Sequence, residues 1–459
     1  MLQVALSCLL LIGVLDLDFY LGTPILDERV FSLALGLALA QSFSGYWRVL
    51  PIILGAVTFL YYDSFIDPYS RVTWAYNMMV LWIPLVLFGI WRLAGKTFAI
   101  VVGLFLLYGY FGNLVPKPFK AYPLEPFDLS IFLAADNTAM LGISMNIVCT
   151  VVFCFLLLGS ALKCSNVIYL INNYIKRVFK DPAKISVCSS MLFGSVSGSA
   201  VSNVVSTGQI TIPLMISAGY SRVRACAIEA VASTGGQIMP PVMGAAAFLM
   251  ASILGMSYTD IAIAGIIPAL IVYGYILLAV HLTRSNTRTV PADNKHLTWP
   301  NIREMLGETG ANTSSIMLLA AGVGLVIGVL DQTGLAFNLA TILANIGQNS
   351  QFLLLVLTAI ICIVLGMGMP TTTAYLIVAI LVAPALIKVG INPLSAHFFV
   401  LYFSVISMLT PPVALSCLAA ANIGKADPLR VSLYSLLYAA PIIILPFLFV
   451  YIPALLLVF

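Results

Sequence analysis

The sequence predicts an all-α polytopic membrane protein built on inverted repeats, with two re-entrant hairpins and two discontinuous helices. Three observations lead there. Of 459 residues, 61% are hydrophobic and only 8% are charged, whereas soluble domains carry roughly a quarter charged residues. Apolar runs suited to a hydrocarbon core of about 30 Å recur from end to end, and interruptions rich in Gly, Ser and Pro return inside those runs at one fixed spacing. The formal net charge of +4 is small and scattered, which excludes nucleic acid, whose recognition needs a clustered basic face. The partner such a surface fits is the lipid bilayer. Eight cysteines sit mostly inside apolar runs without CxxC spacing and read as small buried hydrophobes.

The first run, Leu2 to Leu15, has neither a basic n-region nor a small-residue cleavage site after it, so it is expected to be a retained membrane helix. Val30 to Phe43, Val49 to Tyr62 and Tyr76 to Trp91 follow, making residues 1–96 a four-helix region. Over residues 97–459 the expected spans are Phe98 to Gly112, Met140 to Leu162, Ile261 to Leu282, Ile316 to Leu330 and Val431 to Leu457. Lys and Arg collect in short cytoplasmic loops. The turn Arg92 to Lys96, the loop with Lys176, Arg177 and Lys180, and the loop with Arg284, Arg288 and Lys295 therefore face inward. This puts the N-terminus inside, the acidic stretch Asp16, Asp18, Asp27 and Glu28 outside, and the C-terminus on the outer, periplasmic side.

Between the last two basic loops the chain must start and finish on the same face, so one apolar stretch there does not cross. Lys184 to Tyr220 contains GSVSGSAVSNVVSTG (Gly194 to Gly208), flanked by arms too short to span, and reads as a re-entrant hairpin. The next run is interrupted by STGGQIMPP (Ser233 to Pro241). Its glycines and prolines prevent continuous i to i−4 hydrogen bonding, so a discontinuous helix is expected. Unpaired backbone at that depth is tolerated only where protein or a water-filled site satisfies it.

The same pair of features returns 171 residues later: GMGMPTTTAYL (Gly366 to Leu376) interrupts a second hairpin, and SVISMLTPP (Ser404 to Pro412) interrupts the helix after it. In that single register Pro213 meets Pro384, Gly219 meets Gly390, Ser233 meets Ser404, and Pro240-Pro241-Val242 meets Pro411-Pro412-Val413. Repeat one runs from about 140 to 283 and repeat two from about 312 to 457. The second hairpin starts from the outer face, so the repeats are inverted. Broken elements at matched positions of inverted repeats predict a secondary transporter with its site at the repeat interface.

Hydroxyls cluster at all four breaks, and freed carbonyls and helix ends there suit ions. Candidate substrate contacts are Ser199, Asn203, Thr371, Thr372 and Thr373. The other candidate contacts at the breaks are the hydroxyls of Ser197, Ser233, Thr234 and Ser404 and the carbonyls freed at Gly198, Gly235, Gly236, Gly366 and Gly368. The bland alternative for each Ser and Thr is back-bonding to its own helix. Glu229, one turn before Ser233, needs a partner or a function, because a membrane-embedded carboxylate costs about 2.5–3.5 kcal/mol. Cation binding, or pairing with Arg222, Arg224 or a hydroxyl, would meet that need. His397 reads as a satisfied interfacial histidine, and Asp136, Asp260 and Asp331 as caps or water-facing residues. No GxSxG, HExxH or Walker lysine loop is present, so neither an enzyme nor an internal ATPase is expected.

The segments GSVSGSAVSNVVSTGQITIPLM, EAVASTGGQIMPPVMGAAAFLMA, GMGMPTTTAYLIVAILVAPAL and HFFVLYFSVISMLTPPVALSCLAAANIGKADP closely resemble the large membrane subunit of TRAP (tripartite ATP-independent periplasmic) transporters. Their wording is most similar to fused permeases of the TAXI subgroup. The resemblance is strong from about Phe98 to Phe459 and weak over the first 95 residues, where fused members carry the small-subunit equivalent. It implies an elevator-type carrier in the bacterial inner membrane that imports organic acid anions with Na⁺ symport, uses no cofactor, and receives substrate from a TAXI-type periplasmic binding protein. It also implies Na⁺ sites at the hairpin tips and unwound helix segments, here Ser197, Gly198, Ser233, Thr234, Gly235, Gly236, Gly366, Gly368, Ser404 and Met408. The chain stops at Phe459, where many fused members extend further.

Overall fold

The structure, a computed structural model, describes all residues except 16–26, 63–72, 118, 166–173, 176, 284–300, 368, 412 and 458–459. The expected basic side chains Lys176, Arg284, Arg288 and Lys295, together with Asp16 and Asp18, fall outside the described residues. What is described is helical and divides into two compact units, Met1–Ser160 with Asn301–Thr341, and Ala161–Pro300 with Ile342–Phe459.

The first unit gathers shorter helices around one long one, Ile302–Thr333, of 32 residues. At 1.5 Å per residue it is about 48 Å long. Hydropathy alone marks only Ile316 to Leu330 as a span. The helix starts earlier because Asn301 caps it, its Oδ1 accepting from the Arg303 and Glu304 amides at 3.1 and 3.5 Å. Small residues let its neighbours approach to backbone distance: a Cβ on Gly310 would lie 2.0 Å from Gln3 O, and one on Gly324 2.3 Å from Ala139 O. The N-terminal helices Leu2–Val14, Asp27–Ala40 and Val49–Tyr61, expected from the first apolar runs, all lie in this unit. Ser7 Oγ donates to Leu306 O at 2.8 Å and Gln41 Nε2 to Ser314 Oγ at 2.5 Å, tying the N-terminal helices to the long one. Asp136 closes its helix with a turn, accepting from the Thr138 amide and hydroxyl at 2.8 and 2.6 Å.

The second unit carries both hairpins and both broken helices. In chain order these are α1 (Pro182–Ser197), α2 (Ala200–Ser217), α3 (Arg222–Gly235), α4 (Ala245–Leu254) and α5 (Tyr258–Leu282). The second repeat contributes α6 (Gln351–Gly366), α7 (Thr371–Leu381), α8 (Ala383–Lys388), α9 (Pro393–Ile406), α10 (Leu415–Gly424), α11 (Pro428–Tyr438) and α12 (Ala440–Tyr451). Each break falls where the sequence places it. α1 ends at Gly198, whose φ of +63° is the left-handed geometry that closes a helix with least strain for glycine. Ser199 then caps α2 by accepting from the Ser202 amide. Ser221 and Asn392 cap α3 and α9 at matched places in the two repeats. At the turn expected on the cytoplasmic side, burial and then the neighbouring Asp181 carboxylate raise the Tyr220 phenol above its ordinary value. Tyr220 thus keeps its proton and donates to Asp181 at 3.0 Å.

Among the described residues, α5 and Ile302–Thr333 are long and apolar enough to cross a membrane. The expected continuous span Val431 to Leu457 is instead α11 and α12, bent by 46° at Ala439. Pro441 in the first turn of α12 has no N–H to continue the ladder.

Candidate functional site

Six polar residues at i, i+4 spacing meet inside the second unit. Ser186 and Ser190 share a face of α1, Thr207 and Thr211 a face of α2, Glu229 and Ser233 a face of α3. The Glu229 side chain is 0% exposed. Among the described residues, five hydroxyls converge on its carboxylate: Ser190, Thr207 and Ser233 donate to Oε1 at 2.7, 2.5 and 3.0 Å, and Ser186 and Thr211 to Oε2 at 2.5 and 2.6 Å. The pairing with Arg222 or Arg224 that the sequence allowed is not the one made. Arg222 donates to Gly424 O at 2.9 Å, and Arg224 to Tyr438 Oη at 3.0 Å and to Thr283 O. The Glu229 side chain is met by neutral hydroxyl donors, the hydroxyl option.

Asn203 ties the same three helices through backbone. Its Nδ2 donates to Ser190 O at 2.8 Å and Ser233 O at 3.2 Å. These two carbonyls take up the amide hydrogens expected to meet substrate. Directly beside it α1 and the end of α3 touch: a Cβ on Gly194 would stand 2.8 Å from Gly236 Cα. The unwound chain after α3 is held rather than loose. Val242 N donates to Ser195 O at 3.1 Å, Gly244 N to Gln237 O at 3.0 Å, and Tyr258 Oη to Pro241 O at 2.8 Å.

Gln237 lies eight residues after Glu229, in the short turn Gly236–Ile238 that follows α3. It is not among the residues the sequence marks as candidates. Its Nε2 donates to Gly198 O at 3.2 Å, and its Oε1 accepts from Thr371 Oγ1 at 2.9 Å. One buried amide therefore joins the tip of the first hairpin to the start of α7, the tip of the second. Near it in sequence, Ser197 Oγ and Thr373 Oγ1 are buried without a hydrogen-bond partner among the described residues, although buried polar atoms are almost always paired. Thr373 is 0% exposed.

The second broken helix repeats the construction with different side chains. Ser407 Oγ, near the α9 end, approaches α6, and a Cβ on Gly366 would lie 2.4 Å from it. Ser407 Oγ donates to Ser404 O at 2.7 Å and is 3.2 Å from Gly366 O. Ser404 Oγ bonds back to Val400 O at 2.8 Å, and Met408 O accepts from Ser416 N at 3.2 Å. Thr234 likewise back-bonds to Ala230 O at 2.7 Å, while Gly235 packs against the Tyr273 ring. His397 is satisfied, as expected: it is 3% exposed, with Nδ1 2.7 Å from Tyr375 Oη between α9 and α7. At the fixed offset Glu229 corresponds to Val400, Thr207 to Val378 and Thr211 to Val382, so the carboxylate cage belongs to the first repeat.

Nearly all the predicted site residues thus stand at the four breaks or in the turns beside them, and Gln237 links two of those breaks. Ser199 caps α2 at the first tip, and Thr372 sits half-buried at the second, between Thr371 and Thr373. Gly368 lies outside the described residues.

The family model described as "Tripartite ATP-independent periplasmic transporter, DctM component" matches residues 81–299 and 288–459. The chain is 23% identical over 366 residues to the C4-dicarboxylate TRAP transporter large permease protein DctM of Pseudomonas aeruginosa, covering 67% of this chain and 83% of that protein. It is 24% identical over 303 residues to the isethionate TRAP transporter permease protein DctMQ of Oleidesulfovibrio alaskensis, covering 53% of this chain and 46% of the relative, so it spans about half that protein's length. A 98-residue stretch is 30% identical to the C4-dicarboxylate large permease DctM of Vibrio cholerae, 21% of each chain. With both broken helices, both hairpins and most of the remaining chain inside the matched range, this protein belongs to the DctM family of TRAP transporter large permeases.

Proposed function

We propose that this chain is a secondary active permease of the bacterial inner membrane that imports an organic acid anion with Na⁺ symport and receives its substrate from a TAXI-type periplasmic binding protein. The observation that carries the reading is the bridged pair of hairpin tips, each of which also holds a buried hydroxyl, Ser197 Oγ and Thr373 Oγ1, with no hydrogen-bond partner among the described residues. In this reading the backbone and side chains of Ser197, Gly198, Ser233, Thr234, Gly235, Gly236, Gly366, Gly368, Ser404 and Met408 supply oxygens for Na⁺. Ser199 and Thr371 to Thr373 face the substrate carboxylate, aided by the positive end of α7, and Asn203 sets the spacing between the arms. The N-terminus is cytoplasmic, the first four helices stand in for a fused small subunit, and the hairpins with their broken helices move as an elevator. Driving force is adequate: with a tenfold gradient at about 1.4 kcal/mol and about 2.3 kcal/mol per charge per 100 mV, each Na⁺ supplies about 3.7 kcal/mol.

The test is uptake of labelled carboxylates into proteoliposomes, with and without a Na⁺ gradient and a purified TAXI-type binding protein. Uptake that needs both is expected, with Ser233→Ala and Thr372→Ala losing Na⁺ dependence. Na⁺-driven uptake without the binding protein would replace this reading with a stand-alone symporter, and substrate-independent ion current would replace it with a channel.

A further inference from the structure

We propose that Lys184 and His281 form a binding site for the phosphate of an anionic phospholipid, on the rim of the second unit where α1 begins and α5 ends. The site takes the chain as a membrane permease and depends on neither the Na⁺ nor the substrate reading above. Lys184 Nζ lies 3.2 Å from His281 Nδ1, across 97 residues of sequence. An ammonium has hydrogens and no lone pair, so Lys184 donates and Nδ1 accepts. The hydrogen of the neutral imidazole then sits on Nε2, which is a donor too. Among the described residues neither side chain has a carboxylate partner or any other acceptor for the N–H groups left over. Asp181, one turn earlier, is 4% exposed and turns inward, its Oδ1 accepting from the Ala183 amide and the Tyr220 hydroxyl at 3.0 Å each. The ligand that fits this pair is negative and accepts without donating, which describes the oxygens of a phosphodiester.

The apolar surroundings select a lipid over a soluble phosphate. Leu270, Gly274, Leu278 and Leu282 follow one another along α5 in steps of four, a spacing that shares a face, and all are exposed. A Cβ on Gly274 would meet nothing within 4 Å, so this stripe is open along its length, and it ends beside His281. In the segment leading into α1, Tyr174 and Val178 are exposed one turn apart, while Ile175 between them is buried with Ile185 and Cys188, and Phe179 and Leu277 pack against that cluster. Lys184 Nζ stands 5.9 Å from the centre of the Phe179 ring: its stem covers apolar surface and its charge reaches the edge. Tyrosine and lysine closing an apolar stripe mark the headgroup level of a bilayer, so an acyl chain lying along α5 brings its phosphate to Lys184 and His281. Arg177 and Lys180 are exposed on the same segment with no ion pair among the described residues. They make the local field positive, which favours a net-negative headgroup over a zwitterionic one. In the orientation read from the basic loops this rim meets the cytoplasmic leaflet, whose surface potential is negative. A phosphate held by both side chains fastens the first arm of the first hairpin to α5.

Native mass spectrometry of the purified full-length chain in detergent, titrated with phosphatidylglycerol or phosphatidylcholine, tests the site. A first phosphatidylglycerol held at least about tenfold more tightly than phosphatidylcholine is expected, and Lys184→Gln should weaken it about tenfold by removing a charge-assisted hydrogen bond. His281→Leu removes the Nε2 hydrogen and should also weaken it; this variant carries the test if Lys184→Gln fails to fold. Lys117→Gln makes the same charge change at an exposed lysine of the first unit and should leave binding unchanged. Equal affinity for the two lipids, or phosphatidylglycerol binding unmoved by Lys184→Gln, would overturn the proposal. Glycerol 3-phosphate bound at these residues as tightly as the lipid would also overturn it, in favour of a soluble phosphate. The titration needs no substrate, Na⁺ gradient or binding protein, so its failure is separate from failure of the uptake assay.

Discussion

Thr371 Oγ1 donates to Gln237 Oε1 at 2.9 Å while Gln237 Nε2 donates to Gly198 O at 3.2 Å. A single side chain from the first broken helix therefore spans both hairpin tips. Thr371→Val keeps the volume and removes the donor, leaving Gln237 Oε1 unpaired in a buried setting, a cost of about 1–3 kcal/mol. A lower melting temperature and uptake reduced at least tenfold are expected, with Thr371→Ser close to wild type. Wild-type uptake and melting in Thr371→Val would mean that the bridge is dispensable.

Gly194 and Gly236 bring the backbones of the first hairpin and the first broken helix close together. A methyl at Gly194 would meet Asn203 Nδ2 at 2.5 Å and Gly236 Cα at 2.8 Å. Gly194→Ala is thus expected to destabilise by about 1–3 kcal/mol through overpacking. Gly274 is the control, since a Cβ there would find open space, with nothing within 4 Å. Gly274→Ala should melt at or slightly above the wild type, because alanine favours a helix interior. Comparing the two melting temperatures separates a steric effect from a general intolerance of α-helical glycine replacement.

What could be read from the sequence and what could not divide along physical lines. The four breaks were legible because Gly198, the Pro240-Pro241 pair and Pro370 forbid or end helix locally, and the fixed offset needed only sequence. The partners of Glu229 were not, because which face of each hairpin arm turns toward α3 is a tertiary fact. A signal was present all the same: Ser186/Ser190, Thr207/Thr211 and Glu229/Ser233 are polar i, i+4 pairs in otherwise apolar helices, and pairs at that spacing share a face. Gln237 continues the Glu229/Ser233 spacing by one more step of four residues. Its role was hidden because the stripe runs into a break, where helical spacing no longer tells which way a side chain points. The bend at Ala439 was hidden by unbroken hydropathy from Val431 to Leu457, although Pro441 and Pro446 stood within it.

The two repeats differ where Glu229 faces hydroxyls and Val400 holds the corresponding place in α9. Val400 is 0% exposed, and the positions matching Thr207 and Thr211 are Val378 and Val382. Val400→Glu therefore places a carboxylate where the second repeat has lost those donors, and the penalty of about 2.5–3.5 kcal/mol for a membrane-embedded carboxylate goes unrelieved. Poor yield of monodisperse protein is expected. Adding Val378→Thr and Val382→Thr together should recover part of it, and a triple variant no better than Val400→Glu would show that the hydroxyl cage depends on more than those two donors.

Ser407 takes the place opposite Gly366 that Gly236 takes opposite Gly194, so the second repeat trades a glycine pair for a glycine and a serine. A Cβ at Gly366 would lie 2.4 Å from Ser407 Oγ and 2.6 Å from Ser407 Cβ. Gly366→Ala alone is expected to lower stability and uptake sharply, while Ser407→Gly alone loses a donor to Ser404 O and costs less. The double variant Gly366→Ala with Ser407→Gly moves the side chain across the same gap, which relieves the clash. Residues in direct contact couple by about 0.5–3 kcal/mol, so the double variant should be more stable than the sum of the singles by an amount in that range. Additive melting shifts would show that the clash is absorbed elsewhere, and that α6 and α9 approach each other less rigidly than the first hairpin and α3.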